Sequence, residues 1–367
     1  MLVPILLFIL GLVCLIKGGD WFVDGAVSLA HRFNLPEILI GATIVSIGTT
    51  LPEVMVSATS AAIGHGEIAY GNAIGSIICN TSLIAAITMA IKPAKIDKKP
   101  LKLPAVAFFV AAAVYMVISY FTKTFSRTVG IILLAMFVAY MAISVKMSFS
   151  DIKKSGSKAA VLNTAENLTA GKTDTDAALK NKSKAKQSEK TEKPQGFKAF
   201  LDLIKIQEDR EEPILKIIIF MVIGAALIAW GADLLVDNGT LIAEGAGVPE
   251  SVIALTFVAL GTSLPELVTA ITSLAKGHGA LSVGNIIGAN LFNLVLVSGI
   301  SITIMPFDLP SSKMIMGLNS SLLIDLPLMA VVMLIMILPA LIKGKLYRWQ
   351  GILLLLLYAG FCVYQFS

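Results

Sequence analysis

Apolar residues run along most of this chain in long blocks, without the alternation or narrow stripe of a water-soluble fold. Ten blocks are long enough to read as bilayer spans: about 2–24, 37–62, 68–91, 103–121, 128–147, 213–237, 250–275, 280–304, 319–342 and 350–366. A spanning helix needs about 20 mostly apolar residues, because lipid offers no partner to backbone N–H and C=O groups. Short polar turns separate the blocks, with one long interruption. Residues 148–212 carry 13 Lys/Arg and 11 Asp/Glu in 65 positions, and their middle, about 151–196, has almost no large apolar side chain. Such a stretch cannot bury a core, so disorder is expected there. Near its end Phe197, Phe200, Leu201 and Ile204 fall at helical spacing, which suits a short amphipathic helix on the membrane surface or an extension of the sixth span.

Composition sharpens this picture. The chain is 56% hydrophobic with a mean hydropathy of +0.84, and only 14% of it is charged, against roughly 25% in a soluble domain. The first span has no basic leading segment and no small-residue cleavage site, so it reads as a retained helix. Cys14, Cys79 and Cys362 fall in apolar spans and read as small buried hydrophobes rather than a disulfide framework. The net charge of +5 lies in loops, where topology explains it; it does not point to nucleic acid, and no obligate protein partner is evident. With the N-terminus outside, the inner loops hold Arg32, then Lys92, Lys95, Lys98, Lys99 and Lys102, then Lys276, then Lys343, Lys345 and Arg348. The outer loops hold only Lys123, Arg127 and Lys313. Cytoplasmic loops carry the excess of Lys and Arg, so both termini are expected outside and 148–212 in the cytoplasm.

The chain also repeats itself. Sliding it by 213 residues aligns positions 18–83 with 231–296, without a gap, at 27 of 66 positions. Asp20 and Asp24 fall on Asp233 and Asp237, and Pro36-Glu37 on Pro249-Glu250. GTTLPE (48–53) falls on GTSLPE (261–266), GHG (64–66) on GHG (277–279), and GNAIGSIICN (71–80) on GNIIGANLFN (284–293). Apolarity alone would match Leu with Ile, not Gly, Pro, Asp, Glu, Thr and Asn. The two glutamate motifs lie five spans apart, and an odd separation inverts one copy relative to the other. The expected fold is an all-α polytopic membrane protein of ten transmembrane helices in two inverted five-helix repeats, 1–147 and 213–367, joined by the charged loop 148–212. Secondary transporters commonly have this architecture, with the substrate near the midplane.

Glu53 and Glu266 sit midway along their spans. A carboxylate at a helix centre costs on the order of 2.5–3.5 kcal/mol on insertion scales, and no Lys or Arg lies deep in a span to pair with it; Lys17 comes nearest. Pro52 and Pro265 lack an N–H and free carbonyls in the preceding turn, at Thr49 and Thr262 or nearby. Thr50 and Ser263 add hydroxyls. Asn80 and Asn293 lie deep in spans three and eight, and Ser76 stands one turn before Asn80. The ligand set is oxygen-only, which suits Ca²⁺ or Na⁺ rather than zinc, copper or iron. Asn72 and Asn285 read as helix-start caps or gate residues. Asp20, Asp24, Asp233 and Asp237 read as solvated span-end residues, with ion-attracting mouths the other possibility. His65 and His278 read as turn residues, and the glycines of the GNxxG segments as packing positions. Two carboxylates carry −2, which one Ca²⁺ or several Na⁺ neutralise, so the ions compete for one site.

These paired segments resemble the α-repeats of the Ca²⁺/cation antiporter superfamily, in particular its bacterial and archaeal sodium/calcium exchangers, and the resemblance covers essentially all ten spans. It implies a carrier of Ca²⁺ and Na⁺ in a prokaryotic inner membrane, with no enzyme activity and no cofactor beyond the transported ions. It further implies that Glu53 and Glu266 ligate Ca²⁺ with backbone oxygens of Thr49 and Thr262, that Thr50, Ser263, Ser76, Asn80 and Asn293 complete overlapping Na⁺ sites, and that spans one and six slide to alternate access. Two positions qualify it. Ala289 stands where many members carry a serine, and Asn293 stands where potassium-dependent relatives carry Asp, which favours exchange without K⁺. An H⁺/Ca²⁺ antiporter, or one for another divalent cation, is the second reading. A Ca²⁺ channel would not need the inverted repeat, and the chain has no hydrolase motif.

Overall fold

The computed structural model of this protein describes residues 2–170, 213–245, 261–310, 314–315 and 318–366. Among these the fold is almost entirely helical. The helices are α1 (Leu2–Arg32), α2 (Glu37–Ala62), α3 (Gly66–Ile91), α4 (Lys98–Thr122), α5 (Arg127–Ala170), α6 (Ile214–Gly245), α7 (Leu264–Ala275), α8 (Gly279–Ile304), α9 (Ser321–Lys343) and α10 (Arg348–Phe366). Eight contain stretches long and apolar enough to cross a bilayer; α7 is a shorter apolar helix, and α10 is apolar over 19 residues. The expected span 250–275 is therefore described only from Gly261 onward.

Two helices overrun their expected ends. α1 continues past residue 24 to Arg32, so Asp20 and Asp24 lie within it. α5 continues past 147 to Ala170, through part of the stretch expected to be disordered. Its added sequence, including Lys153, Lys154, Ala159, Ala160, Leu162 and Ala165, is made of good helix formers, and extending an existing helix avoids the cost of a new nucleus. Residues 171–212, including the expected surface helix at 197–204, lie outside the described residues.

Turn chemistry follows the repeat. Gly64 and Gly277 stand at equivalent positions with φ of 92° and 90°, conformations that glycine adopts without steric cost. The next residues, His65 and His278, hold the N-cap positions of α3 and α8. Both helices then contain a π-helical turn that begins at the equivalent asparagine, Asn80–Ala85 and Asn293–Val297.

The connections fall into two groups. In one, Lys95 bridges to Lys345, the Ile96 N–H donates to the Gly344 carbonyl and the Leu346 N–H to the Ala94 carbonyl, both at 2.9 Å. In the other, Thr124–Phe125 pairs antiparallel with Phe307–Asp308. Lys95 and Asp308 are 213 residues apart, so equivalent loops of the two halves each pair with a connection of the other half.

Between α1 and α6 the backbones touch through glycines. A Cβ on Gly18 would lie 2.8 Å from the Gly224 carbonyl oxygen, and one on Gly11 would lie 2.9 Å from that of Gly231. Ascending α1 therefore descends α6, so the two helices run antiparallel. Gly11 and Gly224 are equivalent in the repeat, as are Gly18 and Gly231, so the two contacts exchange under a two-fold rotation. A smaller apolar cluster around Phe22, Ile40, Met221 and Ile228 seals this crossing. The larger core, built on Phe108, Tyr115, Phe125 and Phe292, packs the remaining helices. Membrane helices gain little hydrophobic drive from one another, so this close approach carries much of the association. Gly18→Val should cost about 1–3 kcal/mol through overpacking and lower the apparent unfolding midpoint in detergent. Gly360→Ala, at a glycine with nothing within 4 Å of its Cβ position, should leave that midpoint unchanged.

Candidate cation site

The site is built where α2, α3, α7 and α8 meet. Glu53 and Glu266 are both fully buried, and neither carboxylate oxygen of either has a hydrogen-bond partner among the described residues. The two carboxyl groups are close enough to act on each other electrostatically. Pro52 and Pro265 line one small cavity together with Phe22 of α1 and Ile228 of α6; at about 10 Å³ it takes a single water-sized occupant. The Thr49 side chain lies beside the Glu266 carboxyl, and Ser263 lies beside Cys79 of α3. The π-helical turn that starts at Asn80 packs against α7, and the one that starts at Asn293 packs against α2. Each asparagine turn thus meets the glutamate helix of the other half.

Nine residues were expected at this site. Six of them carry orphaned buried polar atoms: Thr50 and Ser263 at the hydroxyl, Glu53 and Glu266 at both carboxylate oxygens, Asn80 and Asn293 at both amide atoms. A buried polar group without a partner costs roughly 1–3 kcal/mol, more if charged, so a concentration of them marks a place shaped for something else. The other three differ. Ser76 is buried one turn before Asn80. Thr49 donates its hydroxyl to Asn285 Oδ1 at 3.2 Å. Thr262 is half-buried in a two-residue turn, Thr262–Ser263, immediately before α7. Pro265 has no N–H to give and the helical bonds of α7 begin with the Leu267 N–H on the Ser263 carbonyl at 3.1 Å, so the Thr262 carbonyl lies outside the ladder. In the first half Pro52 lies inside a continuous helix, Ser46–Ala62, and the carbonyl it leaves without a helical donor is that of Gly48.

Chemically this is a set of two carboxylates with neutral hydroxyl, amide and carbonyl oxygens. No group of three or more His, Cys, Asp and Glu capable of holding a metal occurs among the described residues. Ca²⁺ takes 6–8 oxygens in flexible geometry, and the donors present fit a hard cation carried as cargo.

Three expectations change. Asn72 and Asn285 are not helix caps, because α3 and α8 start at Gly66 and Gly279, six residues earlier. The Asn72 amide donates to the Glu53 carbonyl at 3.2 Å and to Ser57 Oγ at 2.8 Å, and Asn285 accepts from Ser46 and Thr49. Asp20 and Asp24 are not merely solvated, for both pair with Lys276, at 3.1 and 2.8 Å. Partial burial works to lower the Lys276 pKa, but hydrogen bonds and charge from Asp24 and Asp20 outweigh it and hold it above the ordinary lysine value. His278 does stand at a turn, and its Nδ1 also lies 2.8 Å from Glu37 Oε1.

Residues missed in the sequence include Ser46 and Ser57, which extend the polar stripe 46, 49, 50, 53, 57 along one face of α2; that period was the available signal. Asn290, which donates to Thr81 Oγ1 at 2.7 Å in a fully buried spot, has Ile77 as its counterpart, so the repeat gave no sign of it.

Comparison with known proteins follows this geometry. A family model described as sodium/calcium exchanger protein matches residues 3–146 and 216–367. The chain is 28% identical to the sodium/calcium exchanger MaX1 of Methanosarcina acetivorans over 99% of both chains. It is 30% identical to the putative antiporter CaxA of Alkalimonas amylolytica over the whole of each. Its fold superposes on the solved sodium-calcium exchanger NCX_Mj, soaked with Na⁺ and Sr²⁺, with a TM-score of 0.71, 27% identity and coverage of 98% of this chain and 97% of that one.

Ligand linkage offers a direct test of the site. Ca²⁺ at about 100 times its Kd should stabilise the protein by about 2.7 kcal/mol, read as a rise in the thermal midpoint. Glu53→Gln and Glu266→Gln should fold but lose that Ca²⁺-dependent rise, and Mg²⁺ should not reproduce it in the unmodified protein.

Proposed function

This chain belongs to the sodium/calcium exchanger protein family, and on that premise we propose that it exchanges Ca²⁺ for Na⁺ across the membrane by alternating access. Family members of this kind are integral membrane exchangers rather than enzymes. In this reading Glu53 and Glu266 ligate Ca²⁺ with backbone oxygens of Thr49 and Thr262. Thr50, Ser263, Ser76, Asn80 and Asn293 complete overlapping Na⁺ positions. The observation that carries the proposal is the gathering of both glutamates, two hydroxyls and two amides, buried and without hydrogen-bond partners among the described residues, where the two halves meet.

Charge supplies the mechanism. Two ionised carboxylates in a low-dielectric interior repel each other and have lost their hydration. One Ca²⁺ or two or more Na⁺ cancel the −2, but both cargoes need the same oxygens, so they displace each other. A carrier whose bare site is costly changes sides only when loaded, and that coupling yields exchange. Ala289, fully buried, brings no hydroxyl to the position equivalent to Ser76, so one Na⁺ position has one oxygen fewer. Asn293 supplies a neutral amide, which favours exchange independent of K⁺.

The antiparallel crossing of α1 and α6 through equivalent glycines supports two inverted repeats, 1–147 and 213–367, joined by 148–212. Phe22 and Ile228, one from each of these helices, lie over the motif prolines, which supports these two helices as the sliding gates. The lysines and arginines of the short loops favour both termini outside and residues 148–212 in the cytoplasm of a prokaryotic cell, with the protein in its inner membrane.

Purified protein in proteoliposomes tests the exchange reading. Na⁺-loaded vesicles diluted into Na⁺-free buffer should take up ⁴⁵Ca²⁺, an equal K⁺ gradient should give background, and Glu53→Gln and Glu266→Gln should each reduce uptake to background. Uptake driven by a pH gradient alone would assign proton exchange instead, and uptake with no counter-ion gradient would assign a channel.

A further inference from the structure

Two connections from opposite halves pair at one end of the bundle and gather positive charge there. The α3–α4 connection meets the α9–α10 connection through the Lys95–Lys345 bridge and the backbone bonds of Ile96 and Leu346. Lys95, Lys98, Lys102, Lys343, Lys345 and Arg348 are all exposed around this junction. The two connections contain a single carboxylate, Asp97, which accepts the Lys99 N–H as the N-cap of α4. Two of the cations also finish a helix of the other half. Lys98 donates to the Ile342 carbonyl near the end of α9, and Arg348 donates to the Ile91 carbonyl at the end of α3. The equivalent junction at the opposite end differs. It holds Lys123 and Arg127 together with Asp308, which takes the Thr124 hydroxyl at 2.6 Å.

Cations in short loops follow from topology alone, but the groove beside them does not. Ala105, Val106, Phe109, Val110 and Ala113 of α4 and Leu341 of α9 line an apolar hollow of about 310 Å³, a volume within the range of ligand sites. Val106 and Val110 are more than half exposed, so the hollow opens sideways, towards lipid. At about 1.5 Å of rise per residue, its α4 wall from Ala105 to Ala113 runs for about 12 Å. Lys98 and Lys102 share a face of α4 with Val106, Phe109 and Ala113, at spacings of three and four. Leu341 stands two residues before Lys343, and Lys98 reaches across to Ile342. The groove therefore ends at the cations.

An occupant that uses all of this has an anionic head and an apolar tail. A soluble anion would engage the cations and leave the groove unused; a zwitterionic lipid would fill the groove and bring no net charge. Basic pockets between membrane helices take anionic lipid headgroups. Ile91, Ile342 and Trp349, all exposed next to the cations, continue the apolar surface around them.

We propose that one anionic glycerophospholipid binds here, with an acyl chain along the α4–α9 groove and its phosphate held by Lys98, Lys102 and Lys343. Because α4 lies in the first half of the chain and α9 in the second, the lipid fastens the two halves to each other at this end. The site is separate from the buried cation site, and its occupancy does not depend on the exchange reading.

Native mass spectrometry of the full chain, stripped of lipid in detergent, tests the site with phosphatidylglycerol and phosphatidylcholine of the same chain length. Each cation near an anionic headgroup adds about fivefold to affinity, so phosphatidylglycerol should bind as a single copy at least about tenfold more tightly than phosphatidylcholine. Lys102→Gln with Lys343→Gln should weaken phosphatidylglycerol at least about tenfold and leave phosphatidylcholine within about twofold. Lys123→Gln with Arg127→Gln, the same charge change at the opposite end, should leave both lipids unchanged. Ala113→Phe fills the groove from its exposed side and should weaken both lipids while the lipid-free thermal midpoint stays where it was. Inorganic phosphate should not compete. Phosphate that displaces the lipid would make the cluster a soluble-anion site and overturns the proposal. Phosphatidylglycerol that binds no more tightly than phosphatidylcholine also overturns it; neutralisation of the cluster by the chain's own acidic stretch 208–212 would give that result. So does a preference that survives the double lysine substitution, or binding that Ala113→Phe leaves untouched.

Discussion

Two carboxylates buried in an apolar protein, with no ion-pair partner among the described residues, set the terms for everything around Glu53 and Glu266. Burying an ionised group without a partner is among the most expensive things a fold can do, and in a bilayer the alternative of local solvation is remote. The surrounding features answer that cost. Each proline removes one helical N–H beside a glutamate, a π-helical turn begins at each asparagine, and the Thr50 and Ser263 hydroxyls have no hydrogen-bond partner among the described residues. Single π-turns recur at functional sites because they shift one side chain without ending the helix. Two of the four π-turns among the described residues begin at the equivalent asparagines Asn80 and Asn293; the other two lie at Gly41–Val45 in α2 and Ser321–Asp325 in α9.

The spans and the glutamate motifs were legible because the bilayer and the duplication each leave a strong mark. Lipid demands uninterrupted apolar length, and α2 ran from 37 to 62 as its hydropathy implied. The duplication singled out polar residues that apolar drift could not have matched. What escaped notice depended on which helix faces which. Asn72 and Asn285 lie beside a glycine and read as caps, and only their placement against α2 gives them another task. α1 overran its expected end because Asp20 and Asp24 lower local hydropathy, while Lys276, distant in sequence, neutralises them. Asn290 has no counterpart in the first half, so an argument from repetition could not find it.

The departures from symmetry carry as much information as the symmetry. Lys276 binds Asp20 and Asp24, yet its counterpart is Ile63, so Asp233 and Asp237 have no equivalent lysine. The loop between α7 and α8 is therefore tied to α1 by ion pairs that the first half does not reproduce. His278 and Glu37 add a second tie at the same end. A pair of identical halves would sit equally well in either of two opposed arrangements; side-chain differences of this kind favour one of them and set how far the balance leans.

The crossing of α1 and α6 bears on leakage. Gly11 and Gly18 meet Gly231 and Gly224 backbone to backbone, and Phe22 and Ile228 ride on these same two helices over the motif prolines. With no flexible side chain between them, a shift of one helix is passed to the other almost undiminished. Two shutters fixed to one shaft cannot stand open together. On the exchange reading proposed above, such a coupling would keep the site from opening to both sides at once, so an idle carrier would leave the ion gradients across its membrane intact.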